Sequence, residues 1–163
     1  MRSILFVALA CGVLGASSAA FAAGGGGGGG SMDSTPPKAV DPNFGQAKAL
    51  IEARNYAPAL PLLQQVVARD PKNADAYNLL GYATRKSGNP TGSLQYYNQA
   101  LQIDPKHLGA HEYVGEAYLM LDQPQQAELY LARLNSLCVF GCTEYRMLKA
   151  AIADYKAGKK PTN

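Results

Sequence analysis

Hydrophobic and polar positions repeat through the middle of the chain at a fixed interval. The stretch RDPKNADAYNLLGYA begins at Arg69 and IDPKHLGAHEYVGEA begins at Ile103, so the triplet Asp-Pro-Lys at Asp70 returns at Asp104. At this period the chain divides into three units, about 40–73, 74–107 and 108–140. Self-similarity at an interval of roughly 20 to 50 residues is typical of stacked repeat proteins.

Small residues recur in the same column of each unit. The eighth column holds Ala47, Gly81 and Gly115. Larger apolar residues recur in other columns, for example Leu63, Tyr97 and Leu131. Small residues let two helices approach closely and large ones fill the space beside them, so the pattern predicts a stack of similar helical hairpins.

Turn and cap residues divide each unit into two helices. The turns end at Pro58, Pro90 and Pro124, and proline is tolerated where a helix opens because its missing N–H would have no helical partner there. Asp41 and Asn89 precede prolines and are expected to cap the helices that follow. No stretch alternates as a β-strand would, so we expect an all-α fold.

A final helix is predicted over residues 143–157. Its apolar side chains follow one another at steps of three, four and three residues, which places them on a single helical face: Tyr145, Leu148, Ile152 and Tyr155. A stack of repeats needs such an amphipathic helix to cover its exposed end. We therefore expect a capping helix, followed by a flexible tail at residues 158–163.

The three units resemble the tetratricopeptide repeat (TPR) family. The middle unit fits best, and the residues at the aromatic, small and proline positions of the family pattern are Tyr77, Leu80, Gly81, Ser93, Tyr97, Ala100 and Pro105. The resemblance implies a right-handed α-solenoid of three TPR helix pairs, here expected over residues 41–157 with the capping helix. It also implies a concave groove, lined by the first helix of each pair, that binds a peptide or protein partner, and it implies no enzymatic activity.

The resemblance and the alignment of the three units together nominate a groove. Its expected partner-binding residues are Phe44, Lys48, Asn78, Tyr82, Arg85, Lys86, Glu112 and Glu116. Tyr82 is the expected anchor, because a large aromatic residue on an exposed stripe is typical of a binding site. The basic residues lie toward one end and the acidic ones toward the other, which predicts a ligand with charges of both signs.

The N-terminal residues have the pattern of a secretory signal peptide, expected at residues 1–22. Arg2 precedes the apolar run ILFVALACGVL, and small residues follow. Residues 23–40 are rich in glycine and proline and have little to bury, so we expect a disordered linker. We place the processed protein in the bacterial periplasm, with no stable membrane insertion after cleavage.

Cys138 and Cys142 lie four positions apart beside Gly141. In an oxidising compartment this pair favours a disulfide, and glycine at the corner would let the two β-carbons meet. Two alternatives remain: a redox-active pair, or a zinc site completed by His107 and His111. Either would make the chain a thiol- or metal-dependent accessory factor of the cell envelope; the disulfide is preferred, and no metal or other cofactor is assigned.

The charge and the missing motifs exclude other classes of function. The formal net charge is +3, and it falls to +2 when Arg2 leaves with the signal peptide. Lysine and arginine are interspersed with aspartate and glutamate, so the basic stripe of a nucleic-acid-binding protein is missing. The sequence also lacks the G-x-S-x-G, H-E-x-x-H and phosphate-loop motifs of common enzymes. A non-enzymatic scaffold that binds proteins is the predicted function.

Overall fold

The computed structural model describes residues 41–159 and residue 161. The predicted signal peptide and linker lie outside these described residues, as do residues 160, 162 and 163 of the predicted tail. Within them the chain is all-α and has no strand. The seven helices are α1 (Pro42–Glu52), α2 (Tyr56–Arg69), α3 (Ala74–Lys86), α4 (Pro90–Ile103), α5 (Leu108–Met120), α6 (Pro124–Leu137) and α7 (Thr143–Lys156).

Side-chain caps begin several of the helices, as the sequence predicts. The Oδ1 of Asp41 accepts a hydrogen bond from the N–H of Asn43 at 2.9 Å, and the Oδ1 of Asn89 accepts one from the N–H of Gly92 at 2.8 Å. Each bond satisfies a backbone donor that has no partner inside the helix. The predicted caps at Asp41 and Asn89 are confirmed.

The helices pack in antiparallel pairs, α1 with α2, α3 with α4, and α5 with α6, and the pairs stack side by side. Each first helix also contacts the next first helix, α1 with α3 and α3 with α5, and α5 contacts α7 in the same way. Within the described part of the chain the second helices do not contact one another. The first helices are therefore closer together, so the α-solenoid curves with these helices on its concave side.

The small-residue column lies where helices approach one another closely. A β-carbon added to Gly81 would come within 2.5 Å of Cδ1 of Tyr97, and one added to Gly115 would come within 2.5 Å of Cδ2 of Leu148. Both glycines, like Ala47 in the first unit, are buried. The expected close contact at this column is confirmed.

Helix α7 covers the end of the stack and continues its period. Leu148 follows Val114 at the same interval at which Val114 follows Leu80, and all three are buried. Leu148 and Ile152 pack into one apolar cluster with residues of the third unit, Leu119, Ala127 and Leu134. The predicted capping helix is confirmed, and it occupies the place of the first helix of a fourth unit.

A disulfide joins Cys138 to Cys142 at the corner between α6 and α7. Their Cα atoms are 5.5 Å apart, within the range that a disulfide spans without moving the backbone. Gly141 takes a positive φ of 77° there, a conformation that glycine adopts at little cost. The predicted disulfide is therefore present, and it fixes the cap to the third unit.

The turns inside the three pairs share one backbone conformation. Arg54, Gly88 and Asp122 occupy equivalent positions of the three units and have φ values of 60°, 91° and 57°. Only the middle turn has glycine, for which this left-handed conformation is favourable. The other two turns hold a side chain in a conformation that costs about 1 kcal/mol.

We expect Gly81→Ala to lower the free energy of unfolding by about 1–3 kcal/mol, because the ring of Tyr97 that it meets is fully buried and cannot move aside. The matched control is Gly45→Ala on α1, where an added β-carbon meets nothing within 4 Å. That change should instead stabilise the protein by about 0.5–1 kcal/mol. Urea denaturation of both variants measures the difference, and equal stability would contradict this packing.

We expect Arg54→Gly to stabilise the protein by about 1 kcal/mol, because it removes a side chain from the left-handed conformation. Gly88→Ala, at the equivalent position of the next turn, should destabilise it by a similar amount. Thermal unfolding followed by circular dichroism measures both changes. A shift of the same sign in the two variants would show that the turns are not equivalent.

Candidate functional site

The concave face carries a cluster of tyrosines around Arg85, formed by three consecutive helix pairs. The centre of the Arg85 guanidinium lies 5.5 Å from the ring centroid of Tyr82 and 5.6 Å from that of Tyr113. The two rings are 4.9 Å apart, and Tyr82 also contacts Tyr56 at 6.0 Å. Cation–π contacts of this kind fix the orientation of the guanidinium. The tyrosines therefore form a continuous aromatic surface from the first unit to the third.

Arg85 is buried, with 2% of its side chain exposed, and its charge is balanced inside the fold. Its guanidinium makes an ion pair of 2.6 Å with the carboxylate of Glu116 on α5. Its Nε donates a hydrogen bond of 3.4 Å to the hydroxyl of Tyr97 on α4. Burial raises the pKa of the Tyr97 hydroxyl, so this tyrosine remains neutral and Glu116 is the counter-charge.

This ion pair corrects one expectation from the sequence. The sequence predicts that Arg85 and Glu116 lie toward opposite ends of the groove and face a ligand with charges of both signs. They stand instead on adjacent first helices and neutralise each other. The prediction of separated charges is wrong for this pair, because residues in nearby columns of successive units become neighbours once the helices stack.

Asn78 and Glu112 are also buried, with 7% and 3% exposed. They occupy the same column of successive units, between the first helices rather than on the open face. Among the described residues, neither the Oδ1 of Asn78 nor the Oε1 of Glu112 has a hydrogen-bond partner. Burial, together with the nearby charges of Glu116 and Glu144, raises the pKa of Glu112 to about 8. Glu112 is therefore neutral over most of the physiological range.

The remaining predicted groove residues are more accessible. Tyr82 and Lys86 are partly exposed, and Lys48 is exposed. Phe44 is partly buried and packs against the apolar cluster of the first two units. Of the eight nominated residues, the structure thus brings Tyr82, Arg85 and Glu116 into one contact group, and Lys86 lies beside it.

Tyr113 and Tyr56 belong to the cluster although the sequence did not nominate them. Tyr113 is next to Glu112 in the sequence, in the column that holds Gly45 and Leu79 in the first two units, and Tyr56 is on the second helix of the first pair. A search for aromatic residues one helical turn from the nominated positions would have found Tyr113, which precedes Glu116 by three residues. Nothing in the periodicity points to Tyr56.

The residues of the alternative thiol or zinc site make other contacts. Both cysteines are in the disulfide. The Nε2 of His107 lies 3.1 Å from the Oδ1 of Asp75, and the Nε2 of His111 lies 2.9 Å from the carbonyl oxygen of Pro105. In residues 41–159 and at residue 161, no three His, Cys, Asp or Glu side chains are grouped so that they could hold a metal ion.

Two family models, both described as tetratricopeptide repeat, match the chain at residues 44–107 and 84–152. Together they cover more than half of it. The chain belongs to the tetratricopeptide repeat family. Its all-α architecture and its regular sequence period are those of a TPR α-solenoid.

Solved structures share this fold. The chain superposes on MamA 41-end from Desulfovibrio magneticus RS-1 with a TM-score of 0.57 and 26% identity, over 58% of this chain and 54% of that one. It also superposes on PcrH, which was solved in complex with the chaperone binding region of PopD. The TM-score is 0.63 and the identity 18%, over 72% of this chain and 90% of the PcrH chain.

A curated relative is the mouse protein O-mannosyl-transferase TMTC3 (Mus musculus), which is 31% identical over 76 residues. The match covers 47% of this TPR chain and 8% of the mouse protein. The human protein of the same name is 31% identical over 67 residues, 41% of this chain and 7% of the human one. The chain thus spans less than a tenth of the length of these relatives.

We expect Glu112 to lower the stability of the protein as the pH rises from about 4.5 to about 8. Below this window the carboxyl is protonated in both states; within it, the unfolded chain ionises while the folded protein keeps the proton, which favours unfolding. Glu112→Gln should weaken this dependence and stabilise the protein at pH 8. Melting temperatures between pH 4.5 and 9 test it, with the exposed Glu52→Gln as the control that retains the wild-type profile.

Proposed function

We propose that this TPR protein is a non-enzymatic adaptor that binds a segment of a protein partner along its concave face. The observation that carries the proposal is the aromatic surface around Arg85. Tyr82 is partly exposed there, and its ring is held by Tyr113, Tyr56 and Arg85. A rigid, partly exposed tyrosine loses little conformational freedom on binding, which is why such residues dominate binding energies.

The similarity to PcrH supports a peptide-like ligand. That protein was solved with the chaperone binding region of PopD, a segment of another protein. The two chains share the fold over most of the length of PcrH. A partner segment, rather than a small molecule or a nucleic acid, is accordingly the ligand that we propose for this chain.

We place the adaptor in the bacterial periplasm. The pattern of a signal peptide at residues 1–22 supports this location, although those residues lie outside the described structure. The pairing of Cys138 with Cys142 supports it as well, since disulfides persist in oxidising compartments. Within the described residues, no helix has the length and apolar character needed to cross a membrane.

We expect Tyr82→Ala to weaken partner binding by roughly ten- to thirty-fold, as removal of an aromatic anchor does. The probes are peptides selected by the purified protein from a phage-displayed library of random twelve-residue sequences, and fluorescence polarisation gives their Kd. Tyr82→Phe should bind nearly as the wild type does, because it keeps the ring.

The matched control is Tyr130→Ala. It removes another partly buried tyrosine, but from α6, the second helix of the third pair. Its affinity should stay within about two-fold of the wild type. Replacing Cys138 and Cys142 with serine should also leave the affinity largely intact. Selected peptides that bind Tyr82→Ala normally and lose affinity for Tyr130→Ala would refute binding along the concave face.

A further inference from the structure

A pocket of about 330 Å³ opens at the end of the concave face nearest the cap. Residues of α3, α5 and α7 line it, together with residues that follow α7. They are Arg85, Lys86, Glu116, Leu119, Ala151, Asp154, Lys159 and Pro161. The chain that follows the cap thus returns toward the first helices and completes a wall of the pocket.

The charges that line the pocket are paired, with one exception. Arg85 is paired with Glu116 at 2.6 Å, and Lys159 is paired with Asp154 at 2.8 Å. The third cation, Lys86, forms no ion pair with any residue of the described part of the chain. The pocket therefore carries one positive charge that the described residues do not neutralise.

Lys86 is also partly withdrawn from water. It is the last residue of α3, and its Nζ lies 5.9 Å from the centroid of the Tyr82 ring. Burial, and then the charge of Arg85, lower the pKa of its ammonium group. A cation that has lost part of its hydration without forming an ion pair gains more from an incoming anion than a fully hydrated lysine does.

The other walls fit a short apolar stem better than a large polar group. Leu119, Ala151 and Pro161 present hydrocarbon to the pocket. An aspartate or glutamate side chain has a methylene stem for these walls and a carboxylate for Lys86. A basic side chain would bring a second positive charge beside Lys86, where both carboxylates that line the pocket are already paired.

We infer that this pocket binds an acidic side chain of the partner segment, with Lys86 as the residue that selects it. The inference rests on the proposed function, since it names the chemistry of the ligand in the same groove. Tyr82, whose ring lies next to Lys86, would then hold an apolar part of the segment while Lys86 holds the carboxylate a few residues away. The pairing of Arg85 with Glu116 keeps both of those charges from competing for the ligand.

The test uses the peptides selected from the twelve-residue phage library by the wild-type protein. We expect them to share an aspartate or glutamate at a constant distance from their apolar residues. Changing that residue to Asn or Gln should weaken binding to the wild type by about ten-fold or more. The same change should have little effect on binding to Lys86→Met, because the group that recognises the carboxylate is already missing.

Two further variants separate this site from general electrostatic attraction. Lys72→Met removes an exposed cation from the turn between α2 and α3, outside the groove, and should leave the preference for the acidic peptide intact. Asp154→Asn releases Lys159 from its ion pair within the pocket, and it should raise the affinity for the acidic peptide several-fold. Lys86→Met should thus lower the affinity for the acidic peptide and Asp154→Asn should raise it. A loss of folding would lower the affinity in both variants.

The outcomes distinguish this inference from the proposed function. If peptides bind and depend on Tyr82 but show no preference for an acidic residue, the groove stands and the pocket assignment is wrong. If the acidic residue matters equally in the wild type and in Lys86→Met, another cation recognises it and the assignment is also wrong. If no peptide is selected at all, both the groove and the pocket are refuted.

Discussion

The close approach of helices at the small-residue column is the constraint on which the rest of the structure depends. At Gly81 and Gly115 a single added carbon would come within 2.5 Å of a neighbouring side chain. Because the backbone comes so near, the side chains of Tyr97 and Leu148 lie directly against it. Gly81 makes its contact inside its own helix pair and Gly115 makes its contact with the cap, so this column sets the spacing both within a pair and between neighbouring units.

The curvature decides which charges are available to a ligand. The first helices lie closest together, so polar residues on their facing sides are buried between units. Arg85 and Glu116 become an ion pair, and Glu112 becomes a neutral acid. A buried charge must be paired or neutralised by a change of protonation, because leaving it alone in a medium of low dielectric constant costs several kcal/mol. The electrostatic character of the face therefore follows from which charges are left unpaired.

The end of the stack contributes to the site as well as to stability. Helix α7 takes the place of the first helix of a fourth unit, and the disulfide at its start fixes it to the third unit. The residues that follow α7 turn back toward the first helices, and Lys159 and Pro161 reach the pocket beside Lys86. The helix that covers the apolar end of the solenoid and the residues after it therefore also form one wall of the candidate site.

The sequence by itself determined the architecture, because the features that specify it are local or strictly periodic. Prolines and caps mark the helix boundaries, and Gly81 and Gly115 mark the close contacts. Tyr82 could be nominated because it lies on an open helix face. Only the tertiary structure decided how Arg85, Glu116 and Lys86 are paired or left unpaired, since a pair forms between residues that are distant in sequence. An ion pair depends on distances of a few ångströms between side chains on different helices. A repeat pattern gives the column of each residue and does not specify these distances.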